Sequence, residues 1–251
     1  MPTASATRYS YPLKTWLCLV LPLSLMLLLL VFPPTALDFA ISRMFYSPEL
    51  GFAGKHNFWL ESVLHDSAKQ AVYLLETLAL LGFIGTFWRK SWLWLRLPLG
   101  YLVLTIGISY AVVTPLKVVT GVHCPWDLTE FGGTESYSPL FGQRAPTSNP
   151  GKCWPGGHAS GGFTLFALYF VFRDRRPRVA KAALFFALAL GSVFSVGRIM
   201  QGAHFLSHNL WTALFDWLIA LGFYHLLLYC PQTKSHNPAL EQQPKTAESL
   251  D

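Results

Sequence analysis

The chain has 251 residues and a net charge of +6, with 52% hydrophobic, 15% aromatic and 13% charged residues. A soluble domain carries about 25% charged residues, so this composition argues against a soluble enzyme, and the high apolar fraction excludes a largely disordered chain. Four cysteines over this length are too few for a disulfide-dense secreted scaffold, which leaves an integral membrane protein.

A helix crosses a hydrocarbon core about 30 Å thick with about 20 apolar residues, ~17 at the least. Taken in chain order, a first span is expected from Thr15 to Phe32, stopped by Pro33-Pro34. No small-x-small cleavage site follows it, so it reads as an anchor rather than a secretory signal. A segment from Pro33 to Gln70 leads to a second span, Ala71 to Trp88, and a third runs from Leu93 to Leu116. Lys117 to Gly157 is the second long segment, rich in Gly, Pro, Ser and Thr, and is expected to be irregular and built on turns. A short fourth span from Ala159 to Phe172, a fifth from Val179 to Val196 and a sixth from Leu210 to Tyr229 complete the set. The expected fold is therefore all-α, a six-transmembrane-helix bundle with two outer loop segments. Residues 1–230 form one membrane domain with a motif core at 117–208, and residues 231–251 are a polar tail expected to be disordered on the cytoplasmic side.

Orientation follows from the cations. Arg173, Arg175, Arg176 and Arg178 cluster between the fourth and fifth spans, which places that loop and both termini in the cytoplasm under the positive-inside rule. The two long segments then face outward, toward a bacterial periplasm. Basic residues distributed this way speak for a bilayer, not for nucleic acid.

Three groups of polar residues fall at the outer ends of the helices: Lys117 with Cys124-Pro125-Trp126-Asp127, Pro155-Gly156-Gly157-His158, and Arg198 with His204 and His208. Up-down topology brings them to one membrane face. A lysine, an arginine and two histidines suit phosphate: the cations bind its nonbridging oxygens, and backbone N–H groups at the Gly156-Gly157 turn that opens a helix add donors. Imidazole titrates near neutrality, so one histidine can attack while another protonates the leaving oxygen.

With this spacing the chain resembles the type 2 phosphatidic acid phosphatase superfamily of membrane lipid phosphatases. That family's pattern is Lys-x6-Arg-Pro, then Pro-Ser-Gly-His, then Ser-Arg-x5-His-x3-Asp. Lys117 and Pro125 keep the first spacing, Pro155 to His158 the second, and Arg198 with His204 the third. The resemblance spans the third to the sixth helix. It implies His204 as the nucleophile that forms a phosphohistidine, His158 as general acid, Lys117 and Arg198 as the phosphate clamp, and a backbone N–H from Gly157. It implies no metal and no cofactor.

The chain departs from that pattern at four positions. Cys124 stands for the arginine, Gly156 and Gly197 for the two serines, and His208 for the aspartate that would orient the nucleophile. A neutral histidine accepts only one hydrogen bond and stabilises a cationic imidazole less than a carboxylate does; His208 is kept among the catalytic candidates in that weaker role. Arg144 is the candidate replacement for the absent arginine, pointing into the site. Asp127 is a second candidate partner for the nucleophile, and Asp216 lies too far below His208 to reach His204 directly. Cys124 and Cys153 share the outer segment, whereas Cys18 lies in the first span and Cys230 at the cytoplasmic end of the sixth. An outer disulfide between Cys124 and Cys153 is expected, worth roughly 3 to 4 kcal/mol in the chain-entropy view.

Other polar residues have plainer readings. His56, His65, His123 and His225 are interfacial and receive no role. Glu76 and Asp216 inside apolar helices are costly in lipid and must face the bundle, where interhelical hydrogen bonds account for them. The sequence thus predicts a metal-independent membrane phosphatase acting on a phosphorylated lipid at the outer leaflet. Two rivals stand beside it: a lipid phosphotransferase with the same intermediate, and a non-catalytic lipid-phosphate binder or transporter.

Overall fold

The computed structural model describes residues 13–55, 57–59, 68–144, 146–147 and 149–229. The polar tail, His56, His65 and Cys230 lie outside the described residues. Helices α1 (Leu13–Val31), α3 (Ala68–Trp88), α4 (Arg96–Thr120), α7 (Pro177–Met200) and α8 (Leu206–Phe223) form on the predicted apolar stretches. The fourth stretch is helical but broken into α5 (Gly157–Phe163) and α6 (Phe166–Phe172). Between α1 and α3 stand a short helix, α2 (Thr35–Arg43), and a hairpin of β1 (Tyr46–Ser47) and β2 (Gly51–Phe52).

All six predicted stretches are helical, but by length and apolarity three segments can cross a membrane: 90–127, 177–200 and 206–228. The count rises to four if α1 and α2, bent by 85°, form one broken span. Val72–Trp88 and Gly157–Phe172 are apolar but shorter. The expectation of six full spans is therefore met only at this coarser level.

The bundle core holds Tyr101, Phe163, Phe166, Phe170, Leu221 and Tyr224 from α4, α5, α6, α8 and the turn after α8. Tyr101 donates its hydroxyl to the carbonyl of Ala220 at 2.9 Å, so the one polar atom of a wholly buried ring is satisfied across helices. Gly162 and Gly191 face each other so closely that a Cβ on Gly162 would meet the backbone of Gly191. Small residues here bring α5 and α7 into backbone contact, the usual device where lipid gives helices no reason to associate. Asp216, fully buried, accepts from Ser160 Oγ at 3.2 Å and so ties α8 to α5 just below His158. Glu76 faces α4 at Gly107, as a costly intramembrane carboxylate should.

The described parts of the two long connecting segments are more ordered than their composition predicts. Phe39 of α2, Phe52 of β2, Leu128, Phe131 and Phe205 form a buried apolar cluster above the bundle, with Tyr46, Trp126 and Tyr137 packed on it. Phe39 stacks on Phe205 at 5.2 Å and meets Tyr137 edge-on at 5.2 Å. Burial of these rings folds two segments remote in sequence into one cap.

Candidate functional site

Lys117 occupies the last turn of α4, which ends at Gly121 in a left-handed conformation, φ 60°. Glycine adopts that conformation without steric cost and turns the chain back toward Cys124. Cys124 pairs with Cys153, as expected. Cys153 N donates to the carbonyl of Val122 at 3.0 Å, and Thr120 Oγ1 donates to the carbonyl of Trp154 at 3.0 Å. The segment before α5 is thus fastened to the end of α4 covalently and by hydrogen bonds.

Gly156 and Gly157 are glycines for different reasons. Gly156 sits against α8: its N donates to the carbonyl of His208 at 3.1 Å, and its carbonyl accepts from Thr212 Oγ1 at 3.0 Å. A Cβ there would collide with the carboxamide of Asn209. A Cβ on Gly157 would lie 2.7 Å from Lys117 Nζ, so the lysine head rests directly on the backbone that opens α5.

Arg198, in the last turn of α7, donates from Nη1 to Gln201 Oε1 at 2.7 Å and lies 5.8 Å from the centre of the Trp126 ring. Trp126 N in turn donates to the carbonyl of Gly202 at 3.0 Å. The loop after α4 therefore supports the arginine of α7, a role that spacing alone did not assign to Trp126 or Gln201.

His204 follows in the loop before α8 and is almost wholly buried. Its Nδ1 lies 2.8 Å from the carbonyl oxygen of Cys153. A carbonyl can only accept, so Nδ1 carries the proton and Nε2 keeps its lone pair. That Nε2 is buried with no hydrogen-bond partner among the described residues. The His158 ring lies 6.3 Å from that of His204, and the His208 ring 6.1 Å on another side. Burial, then the charges of Lys117, His208, Arg198 and His158, push the His204 pKa well below its ordinary value of about 6.5. The same four groups are thereby gathered around one imidazole.

This depressed pKa has a thermodynamic consequence of fixed sign. The unfolded chain takes up a proton at His204 near pH 6.5 and the folded chain does not, so stability contributed by this group is whole above about pH 6.5 and is lost as pH falls toward the folded value. Thermal unfolding in detergent from pH 7.5 to 5 is expected to show an acid-side loss of up to about 1.4 kcal/mol per pH unit from this residue. The slope should be shallower in His204→Ala; equal slopes would contradict it.

The remaining candidates are placed as follows. Arg144 donates from Nη2 to the carbonyls of Pro139 and Leu140 at 3.1 and 2.9 Å, closing its own loop rather than joining the cationic pair. The expectation that it replaces the absent arginine is corrected accordingly: a guanidinium fastened to two loop carbonyls is directed at that turn. Asp127 accepts from Cys124 N at 3.0 Å and is likewise committed elsewhere. His208 neighbours His204, but the partner of His204 Nδ1 is the Cys153 carbonyl. Asp38, unnoticed in the sequence, is buried and accepts from Ser207 N at 2.9 Å and Ser207 Oγ at 2.5 Å, capping the start of α8 from α2. A cavity of about 350 Å³ lies between the C-terminal end of α1 and the loop at 137–142, with Asp38, Ser207 and His208 among its walls.

Compared with known proteins, the family model described as the PAP2 superfamily matches residues 98–232, more than half of the chain and all of the motif residues above. No curated protein matches the chain, and no solved structure does.

Proposed function

The chain belongs to the PAP2 superfamily, and from that premise we propose that it is a membrane phosphatase. In this reading it hydrolyses a lipid phosphate or diphosphate at the outer face of the membrane, through a phosphohistidine on His204. Membership in the superfamily carries phosphatase or phosphoesterase chemistry; helices apolar enough to cross a membrane, with the site at their ends, support a lipid substrate.

The observation that carries the mechanism is the state of His204: Nδ1 committed to the Cys153 carbonyl, and Nε2 buried, unpartnered and surrounded by Lys117, Arg198, His158 and His208. In the first step Nε2 attacks phosphorus, the bond from phosphorus to the leaving oxygen breaks, and His158 gives that oxygen its proton. Lys117, Arg198 and the Gly157 N–H neutralise charge on the three nonbridging oxygens. In the second step His158, now a base, takes a proton from water, whose oxygen displaces His204 and yields inorganic phosphate.

The test is phosphate release by purified protein in detergent with EDTA, over a panel holding phosphatidic acid, phosphatidylglycerol phosphate, a polyprenyl diphosphate and phosphorylated lipid A. Release that EDTA leaves intact, and that both His204→Ala and His158→Ala abolish, is expected. Absence of release from every lipid by folded protein would overturn the reading, and phosphate appearing only on a second lipid would replace hydrolysis by transfer.

A further inference from the structure

Among the described residues, the partner of His204 Nδ1 is not the carboxylate that would ordinarily hold a nucleophilic or basic imidazole in one tautomer. Three described aspartates on the elements around the site are engaged elsewhere. Asp127 accepts from Cys124 N, Asp38 from Ser207, and Asp216 from Ser160. Position 208 carries an imidazole whose ring centre stands 6.1 Å from that of His204. Yet Nδ1 of His204 has a well-formed partner, the carbonyl of Cys153 at 2.8 Å. That oxygen belongs to the backbone of an irregular segment, so its position is only as good as the fastening of residue 153.

The fastening is dense. The Cys124–Cys153 disulfide bridges 29 positions. Val122 accepts from Cys153 N, and Trp154 accepts from Thr120. Asp127 holds the Cys124 backbone on the other side of the bridge. These ties run to Thr120, the last residue of α4, and to the loop that follows it, and α4 also delivers Lys117. We propose that the Cys124–Cys153 disulfide positions the nucleophile, by holding the Cys153 carbonyl on His204 Nδ1 in the place a carboxylate at 208 would otherwise serve. The inference rests on His204 being the nucleophile. Cys153 is a positioning residue, because it acts through His204 and touches no reacting atom.

A carbonyl fixes the tautomer as a carboxylate would, but brings a dipole in place of a full negative charge. Its effect depends on placement, and a displacement of about 1 Å at such a contact can cost about 10²-fold in rate. The substitution of arginine by Cys124 and of aspartate by His208 then become one change: the first-motif position that lost a cation gained the anchor for a backbone acceptor.

The test compares wild type, Cys124→Ala/Cys153→Ala, and that double variant with His208→Asp added, each shown folded by circular dichroism and a single gel-filtration peak. Loss of the disulfide is expected to lower kcat by about 10²-fold with KM changed less than about threefold. Adding His208→Asp should restore most of the rate, because a carboxylate returns to orient the imidazole. A disulfide-free protein as fast as wild type, or one that His208→Asp fails to rescue, would overturn the proposal. If wild type itself releases no phosphate from any substrate, the functional reading fails separately. The positioning claim is then decided by ¹⁵N NMR of the His204 ring, assigned by its absence in His204→Ala. A single Nδ1–H tautomer in wild type that becomes mixed without the disulfide upholds it, and an unchanged tautomer overturns it.

Discussion

His204→Ala is expected to lower phosphate release by about 10⁴-fold or more, equally for good and poor leaving groups, whereas the cost of His158→Ala to the first step, phosphoryl transfer to His204, should depend on the leaving group. The contrast follows from the two places the imidazoles hold. His204 keeps a buried lone pair on Nε2, and in the proposed mechanism removing it removes the atom that bonds phosphorus, whatever departs. His208 cannot take over, since its ring centre is 6.1 Å away and its backbone is pinned in the first turns of α8 through Gly156 and Thr212. His158 lies at the start of α5 with its ring 6.3 Å from that of His204, and in the proposed mechanism it serves the departing oxygen. An alkoxide leaves badly without a proton, so His158→Ala should cost about 10² to 10⁴-fold on a lipid monoester. A nitrophenolate leaves unaided, so the burst of nitrophenolate that reports phosphoryl transfer to His204 should slow by about tenfold or less in the same variant, while full turnover still loses the base of the second step. Measuring the first step of His158→Ala on both substrates decides it. Equal losses in that first step would remove His158 from the role of acid.

Gly156→Ser should be far more damaging here than the family's own preference for serine suggests. The space a Cβ needs is filled by the Asn209 carboxamide, and the turn cannot retreat because its N–H and carbonyl are both bonded to α8. Overpacking of this kind costs about 1 to 3 kcal/mol of stability, and displacement of the turn that carries Gly157 and His158 should lower activity by about 10²-fold. Asn209→Ala empties the space. The double variant Gly156→Ser/Asn209→Ala should therefore recover most of the stability and rate lost by the serine alone, with a coupling of about 1 kcal/mol or more. Strictly additive effects in thermal unfolding and in kcat would show that the two residues do not compete for one volume.

What the residues announced in advance was largely what depends on spacing and hydropathy. The apolar stretches are helical, Lys117, Gly157, His158, Arg198 and His204 gather around one point, and Cys124 finds Cys153. What they concealed depends on backbone atoms and on pairings across long separations. The acceptor for His204 is a main-chain carbonyl, which every residue possesses and no motif marks. Asp38 reaches Ser207 across 169 positions, and Trp126 supports Arg198 only because the cap folds as it does. Arg144 shows the opposite error: being the other arginine of its segment made it a candidate, but the local turn at Pro139 and Leu140 claims its guanidinium. Composition also understated the outer segments, because the aromatic residues that organise them are scattered among Gly, Pro and Ser.

The bond between Asp38 and Ser207 also has a bearing on biosynthesis. The carboxylate leaves the ribosome 169 residues ahead of its partner, an interval on the order of ten to thirty seconds at ordinary elongation rates. During that time the aspartate has no Ser207 to bind, and Phe39 of α2 awaits Phe205, which arrives with the same late segment. Completion of the α7–α8 pair is then the event that seats the cap, so a partly translated chain lacks both the closed aromatic cluster and the loop that carries His204.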